Sequence, residues 1–420
     1  MISLFINTFK SNAYLVFSSS LNVLLTASLS FLLAYKLGVY EFGLFASLWA
    51  ILTILRSLSF FGLKDGSLKL YSKNNIWHRD IFDNILKASL IFTSICIVIL
   101  VAVGTTGDSE GEAYLSLGII LQLIAYSLVE INSVYYMAIN NKIRVSILHT
   151  LVSFANFSLL IFYMQINEVN LRNLSNVLIL SSILISIPTL CNLVYLRKKI
   201  ILIKKIKIPF KSYLKVVTPF GLAILFQLLY YQSDQIMLRY IDSPESTSYY
   251  SIAYSVFSGI IVVPMVIFQK SIIPKLFLEF NVDKTLVWKK ITLYAKYLIP
   301  IGIIINILSL VFIDDFIKIL FGMKYVKVVD IFYYLSFNIP IVLTSLCFGS
   351  YLFFEDKLMQ KKLYIMGAAA FINLVLNLLL IPYFSYYGAL VSTILSNVFI
   401  LVSYMLVYWY ENPRKFQKNL

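Results

Sequence analysis

Charged residues are scarce in this sequence. They make up 13% of its 420 residues, whereas 60% are hydrophobic and the mean hydropathy is +0.84. A water-soluble domain averages roughly one quarter charged residues. Such a chain has too little polar surface to cover itself in water, so its solvent must be lipid. The composition therefore excludes a soluble globular protein and indicates a membrane protein.

Cysteine and histidine are also rare, with three and two residues. Cys96, Cys191 and Cys347 lie in apolar stretches, and an odd number so placed provides neither a disulfide framework nor metal-site spacing. The sequence contains no glycine-rich nucleotide-binding loop that would indicate direct use of ATP. It also shows neither a histidine-centred catalytic pair nor a long outer loop. We therefore do not expect an enzyme.

Long apolar runs dominate what is present. A helix that crosses the bilayer needs about 20 mostly apolar residues. The sequence accordingly predicts an all-α polytopic membrane protein with about twelve transmembrane helices. The predicted spans are 12–35, 42–63, 84–105, 113–138, 144–165, 173–196, 213–240, 247–272, 291–313, 328–353, 363–382 and 386–410.

The net charge of +15 comes from lysines and arginines that concentrate in alternate loops between these spans. If the N-terminus is cytoplasmic, the large majority of these cations lie on the cytoplasmic side, as the positive-inside rule requires. Both termini are therefore predicted to be cytoplasmic. The basic segment 197–215, with its interleaved isoleucines, is predicted to lie against anionic phospholipid. This pattern does not favour a nucleic-acid partner.

An internal repeat divides the chain near its middle. The stretches LLAYKLGVYEFGLFASLWAIL and MLRYIDSPESTSYYSIAYSVF each contain a helix end, a tight turn with an acid (Glu41, Glu245) and the start of the next helix. Duplicated bundles that move about a central site are common in transporters. We predict an N-terminal lobe at 1–205 and a C-terminal lobe at 206–420, with six helices each around a central cavity. The second turn lacks the glycine of the first.

Four motifs resemble a known family. They are LGVYEFGLFA, FQLLYYQSDQIML, FGMKYVKVVDIFYYLSF and FINLVLNLLLIPYFSYYGALVST. Together, and over essentially the whole chain, they resemble the bacterial O-antigen and capsular polysaccharide flippases. These form the polysaccharide transporter branch of the multidrug/oligosaccharidyl-lipid/polysaccharide exporter superfamily.

The resemblance implies a flippase of the bacterial inner membrane. It would move an undecaprenyl-diphosphate-linked oligosaccharide from the cytoplasmic to the periplasmic leaflet by alternating access, for O-antigen (lipopolysaccharide) or another surface polysaccharide. No cofactor is implied, and coupling to a proton, to sodium or to no ion stays open. A polysaccharide polymerase and chain-length machinery are candidate partners. The alternatives are a cation-coupled drug exporter of the same superfamily and, less favoured, a membrane enzyme of polysaccharide assembly.

Ionisable side chains within the predicted spans are candidate site residues, because charge in lipid is costly and usually faces a cavity or a partner. Arg56 and Lys296 lie near the inner face in opposite lobes and are candidates for binding the diphosphate, although each could instead extend to the interface. Glu130 is expected to pair with one of them or to carry a coupling proton. His149 is a candidate for exchanging a proton near neutral pH, the alternative being that it is simply hydrogen-bonded.

Asp234 is the candidate nearer the outer face. With Gln227, Tyr230 and Tyr231 it forms a polar stripe at helical spacing on the seventh span, which should face a cavity or a neighbouring helix. Asp234 could hold a coupling cation or proton, contact sugar hydroxyls, or tie the seventh span to the eighth or the first.

Two further sets of residues are expected to shape the helices. Asn373 and Asn377 are predicted to hydrogen-bond to a neighbouring helix. Prolines in or near spans are predicted to bend them, which alternating access could use; they are Pro219, Pro264, Pro300 and Pro340.

Overall fold

A computed structural model describes residues 2–74, 79–105, 110–139, 141–166, 168–201, 208–280 and 282–411. These residues are almost entirely helical, and none of them is in a β-strand. The helices are α1 (Ile2–Lys36), α2 (Val39–Ser59), α3 (Leu63–Asn74), α4 (Arg79–Thr105), α5 (Glu110–Ala138), α6 (Lys142–Met164), α7 (Leu171–Ile201), α8 (Phe210–Ile241), α9 (Pro244–Ile267), α10 (Ile273–Phe280), α11 (Lys284–Phe321), α12 (Lys327–Ser336), α13 (Asn338–Tyr351), α14 (Asp356–Phe384) and α15 (Tyr386–Tyr410).

Every predicted span falls on helix. In the described part of the chain, eleven helical stretches are long and apolar enough to cross a membrane, and Ser20–Lys36 within α1 is a shorter apolar helix. The second predicted span corresponds to α2 and the start of α3, and the tenth to α12 and α13. The prediction of an all-α polytopic membrane protein is confirmed. The cytoplasmic location of the termini stays a prediction.

The two turns of the predicted repeat have the same form. Two residues separate α1 from α2, and two separate α8 from α9. Gly38 precedes α2 in an extended conformation, whereas Ser243 caps α9 with a side chain that accepts a hydrogen bond from the Ser246 backbone N–H at 3.2 Å. Helix α9 therefore begins at a serine cap with Pro244 at its first position, whereas Gly43, the glycine of GLFA that the second turn lacks, lies inside α2.

Two of the four predicted prolines adjoin irregular positions in the helices. Proline lacks an N–H and crowds the carbonyl four residues earlier. Ser336, four residues before Pro340, is the last residue of α12, so the proline explains why the tenth span is divided. Pro264 precedes a π-helical turn at Phe268–Ile272. Pro219 and Pro300 lie inside α8 and α11.

The chain forms two compact units. The N-terminal unit comprises residues 17–232, and the C-terminal unit comprises 233–420 together with 1–16. The division falls inside α8. The predicted lobe boundary at 205/206 lies outside the described residues, as does the centre of the basic segment 197–215, so the two six-helix lobes stay a prediction.

The first part of α8 belongs to the N-terminal unit because of close contacts with α3. A Cβ atom on Gly66 would lie 2.4 Å from a Val217 methyl carbon, so only glycine fits there. The Ser67 and Tyr213 hydroxyls lie 2.8 Å apart in a buried hydrogen bond. Small residues allow helices in membranes to approach this closely, and polar side chains then join them.

Helix α5 is the centre of the N-terminal unit and packs against α2, α4, α6 and α7. Its buried Gln122 donates hydrogen bonds to Asn156 at 2.7 Å and to Ser181 at 2.6 Å. The C-terminal unit has an aromatic core, in which Trp288 stacks on Tyr408 with ring centroids 5.2 Å apart. The N-terminal unit thus has buried polar contacts around α5, and the C-terminal unit has an aromatic core.

The cysteines are free, as expected. Cys96 and Cys347 are buried, and Cys191 is exposed on α7.

Candidate functional site

Arg56 lies in the last turn of α2, where α5 provides two partners for it. Its guanidinium carbon is 3.8 Å from the centroid of the Tyr126 ring, and Nη2 is 3.5 Å from Glu130 Oε1. The Arg56 side chain is 37% exposed, compared with 14% for Glu130. The carboxylate is therefore the enclosed partner, and the arginine side chain is the more exposed one. Of the two partners predicted for Glu130, the structure shows Arg56.

Glu130 also faces α6. His149 Nδ1 lies 3.7 Å from Oε1, the same oxygen that faces Arg56. Ser133, one turn further along α5, donates its hydroxyl to Oε2 at 3.2 Å. Three helices thus bring an arginine, a glutamate and a histidine together, although the sequence places them far apart. We refer to Arg56, Tyr126, Glu130 and His149 as the arginine cluster.

Two charges at the start of α3 act on this cluster. Lys64 attracts Glu130, whereas Asp65 repels it and is itself attracted by Lys64. Arg56 and Lys64 supply two positive charges, which the two carboxylates balance. With a neutral His149 the cluster therefore carries no net charge, and an anion that binds Arg56 must compete with Glu130.

Asp234 has a different environment in the C-terminal unit. Its side chain is buried, with 1% of the residue exposed. The Tyr250 and Thr393 hydroxyls both donate to Oδ2, the latter at 2.5 Å, and the Asn377 amide donates to Oδ1 at 2.6 Å. Among the described residues no salt bridge involves Asp234. Neutral donors alone therefore hold this carboxylate.

The hydrogen bonds around Asp234 extend along α14. The Asn377 amide also reaches Asn373 Oδ1 at 3.1 Å, and Ser233 donates to the same oxygen at 2.8 Å. This confirms the prediction that Asn373 and Asn377 bond to a neighbouring helix. Asn377 Oδ1 and Asn373 Nδ2 are buried and have no hydrogen-bond partner in the part of the chain that the structure describes. We call these residues, with Tyr250 and Thr393, the aspartate cluster.

Sequence reasoning identified part of the aspartate cluster. The expected link from Asp234 to the eighth span is present as Tyr250 on α9, but Thr393 on α15 was not predicted. A threonine in an apolar helix gives no local sign that it faces an acid 159 residues away. The asparagine pair was the available signal, because two amides at helical spacing in lipid need partners.

The polar stripe on α8 is divided. Gln227 is exposed and Tyr231 is half-buried, and both belong to the N-terminal unit, whereas Asp234 belongs to the C-terminal unit. Lys296 is exposed on α11. The roles of Gln227, Tyr231 and Lys296 in lining a cavity or binding a diphosphate stay predictions. Among the described residues, no group of three or more histidine, cysteine, aspartate or glutamate side chains could hold a metal ion.

Comparison with known proteins gives a consistent result. The profile of the family described as "Polysaccharide biosynthesis protein" matches residues 8–278. No curated protein matches the sequence significantly.

Solved structures share the fold at low sequence identity. The lipid II flippase MurJ in an inward closed conformation has a TM-score of 0.69 and 13% identity, covering 93% of this chain and 86% of that chain. An inward-facing multidrug resistance MATE family transporter of the MOP superfamily has a TM-score of 0.67 and 14% identity, covering 96% and 94%. A mutant of the Vibrio cholerae MATE transporter VcmN has a TM-score of 0.63 and 13% identity, covering 97% and 98%.

Proposed function

We propose that this chain, which belongs to the polysaccharide biosynthesis protein family, is a lipid-linked oligosaccharide flippase. It moves an undecaprenyl-diphosphate-linked oligosaccharide from the cytoplasmic to the periplasmic leaflet of a bacterial inner membrane by alternating access. The product serves O-antigen or another surface polysaccharide, and a polysaccharide polymerase with its chain-length machinery takes it up. The proposal assigns no covalent chemistry to the protein.

The position and contacts of Arg56 are the main observation that supports this proposal. A diphosphate that leaves water needs a cation, and an arginine can bind it through two parallel hydrogen bonds. Arg56 lies on a helix long enough to cross the membrane, its side chain is 37% exposed, and its guanidinium packs on the Tyr126 ring. A guanidinium held in this way can accept a phosphate without moving far. Lys296 of the C-terminal unit is the proposed second cation.

Asp234 is the proposed site of ion coupling. An ionised carboxylate surrounded only by neutral donors is costly in a low-dielectric interior. A proton on Asp234, or a monovalent cation such as sodium beside it, removes that cost. The buried Asn377 Oδ1 supplies a further neutral oxygen close to the carboxylate. Binding and release of this ion at Asp234 would couple an ion gradient to the transport cycle.

The proposed function is tested by measuring which leaflet of the inner membrane holds the lipid-linked sugar. In cells that lack the protein, a sugar label that cannot cross the inner membrane should fail to reach the undecaprenyl-diphosphate oligosaccharide, and re-expression should restore labelling. Arg56→Ala should not restore it. Arg172→Ala is a matched control, because Arg172 also lies over a tyrosine, with its guanidinium carbon 4.9 Å from the Tyr114 centroid. This control should restore labelling fully.

The MATE transporters favour a second candidate function, because two of them share the fold at TM-scores of 0.67 and 0.63. A cation-coupled exporter of small molecules would leave labelling unchanged when the protein is removed. It would instead make cells lacking the protein more sensitive to cationic dyes. That pair of results would reject the flippase and support the exporter.

A further inference from the structure

One carboxylate oxygen of Glu130 faces both an arginine and a histidine. Oε1 lies 3.5 Å from Arg56 Nη2 and 3.7 Å from His149 Nδ1. Hydrogen bonds between such groups are normally about 2.7–3.2 Å long, so neither contact is a tight bond. The hydrogen bond from Ser133 at 3.2 Å involves the other oxygen, Oε2. Oε1 therefore lies between an arginine and a histidine, and a small rotation of the carboxylate brings it to either.

Arg56 does not depend on Glu130 alone for its position. The Tyr126 ring lies 3.8 Å from the guanidinium carbon, a contact that orients the group and carries no charge. If Glu130 withdraws, the guanidinium keeps this support. The donors that Glu130 releases are the ones that a phosphate oxygen would use.

The charge balance makes such a withdrawal necessary. Two cations, Arg56 and Lys64, face two carboxylates, Glu130 and Asp65. A diphosphate at Arg56 would place at least two more negative charges beside Glu130, and like charges at this distance repel strongly in a poorly solvated site. Protonation of His149 adds a positive charge 3.7 Å from Glu130 Oε1, which compensates the carboxylate when Arg56 is taken up by the diphosphate.

We propose that Glu130 is a positioning residue that pairs with Arg56 in the empty protein and passes to protonated His149 when a lipid diphosphate binds. This inference rests on the proposed function and makes binding at the same site depend on the protonation of His149. Diphosphate binding then takes up one proton at His149. Besides Glu130, the groups that take part are Arg56 from α2, Lys64 and Asp65 from α3, and His149 from α6.

The binding of farnesyl diphosphate to the purified full-length protein tests this exchange. Affinity is measured by titration calorimetry from pH 6 to pH 8 with wild type, Glu130→Gln, His149→Gln and Glu112→Gln. Glu112 is a matched control because it is a buried acid on the same helix, 2% exposed, about 27 Å from Glu130 at 1.5 Å per residue. Any titration of the diphosphate itself affects all four proteins equally.

We expect wild type and Glu112→Gln to bind more weakly as the pH rises, because His149 loses its proton. Glu130→Gln should bind about tenfold more tightly than wild type at pH 8, a coupling of ordinary size between interacting sites, and should lose the excess pH dependence. His149→Gln should bind as weakly at pH 6 as wild type does at pH 8. A protein that combines Glu130→Gln with His149→Gln, titrated in the same way, should behave as Glu130→Gln.

Each other result has a definite meaning. If Glu130→Gln binds no more tightly than wild type and keeps its pH profile, the exchange is wrong while the flippase stands. If folded wild type does not bind farnesyl diphosphate at any pH, the proposed function fails together with the exchange. If Glu130→Gln loses its cooperative thermal unfolding, the pH profile of His149→Gln is the deciding measurement. A profile like that of wild type would then overturn the inference.

Discussion

The arginine cluster and the aspartate cluster use a carboxylate within a membrane helix in opposite ways. Glu130 faces Arg56 at 3.5 Å and His149 at 3.7 Å, and the Arg56 side chain is 37% exposed. Asp234 is 1% exposed and accepts three hydrogen bonds from neutral donors, those from Thr393 and Asn377 measuring 2.5 Å and 2.6 Å. One carboxylate is loosely held by charge, and the other is tightly held without it.

The two carboxylates should therefore differ in how easily they change partners and in how much they stabilise the fold. The Arg56–Glu130 contact is longer than a normal hydrogen bond and one of its partners is partly exposed, so its members can change partners more easily than those of a tight buried network. A buried network is costly to break, because each donor that loses its acceptor keeps its full desolvation penalty, about 1–3 kcal/mol. We therefore expect substitutions in the arginine cluster to change binding, and those in the aspartate cluster to change folding as well.

Asp234→Ala should have the largest effect on stability. It leaves the donors of Tyr250, Thr393 and Asn377 without their acceptor in the core of the C-terminal unit. The free energy of unfolding should fall by at least about 3 kcal/mol. Thermal unfolding of the purified protein in detergent measures this. A loss as small as that of Glu130→Gln would mean that the two carboxylates are held alike, and the comparison would be wrong.

Asp234→Asn separates the two roles proposed for this residue. The amide keeps the shape and one acceptor oxygen but can neither ionise nor bind a cation strongly. We expect a folded protein whose transport no longer responds to an imposed proton or sodium gradient. Flipping in vesicles with and without each gradient is the measurement. An unchanged gradient response would leave Asp234 with a purely structural role.

Arg56→Lys should have an intermediate effect that appears in transport only. Lysine keeps the charge but loses the planar fork that binds a diphosphate through two hydrogen bonds. We expect flipping to fall about tenfold, which corresponds to the loss of one charge-assisted hydrogen bond. The unfolding temperature should hardly change. A large loss of stability would show that the arginine cluster is structural, and the contrast with Asp234 would disappear.

Tyr213→Phe should have the smallest effect. It removes one buried hydrogen bond, 2.8 Å long, between α8 and Ser67 of α3. The free energy of unfolding should fall by about 1 kcal/mol, and combining this change with Ser67→Ala should cost little more, because neither hydroxyl is then left unsatisfied. The double-mutant cycle compares a neutral hydrogen bond in the N-terminal unit with those around Asp234. Additive losses would show that the two hydroxyls do not interact.

The sequence predicted the spans well and the contacts between them only in part. Every predicted span falls on helix, because an apolar run of sufficient length has few other structures available in lipid. The division of the second span after Ser59 was missed, because it depends on a local turn and a hydropathy pattern averages over such turns. The division of the tenth span falls four residues before Pro340, which was predicted to bend it.

The contacts of the candidate residues were likewise predicted only in part. Glu130 was expected to pair with Arg56 or Lys296, and the structure shows Arg56. Tyr126 and Thr393 were not predicted, since a tyrosine or threonine in an apolar helix carries no mark of its partner. The prediction treated Gln227, Tyr231 and Asp234 as one stripe, but the two compact units divide between them on α8.

The sequence by itself determined that this is a polytopic helical membrane protein, where its spans lie, and which few side chains are too polar to face lipid. These properties follow from the transfer free energy of each segment, which is local to the chain. Only the tertiary structure decided that Glu130 is shared by Arg56 and His149, and that Asp234 is held by neutral donors from three other helices. Those partners lie as many as 159 residues away, so they are selected by helix packing and not by any local pattern.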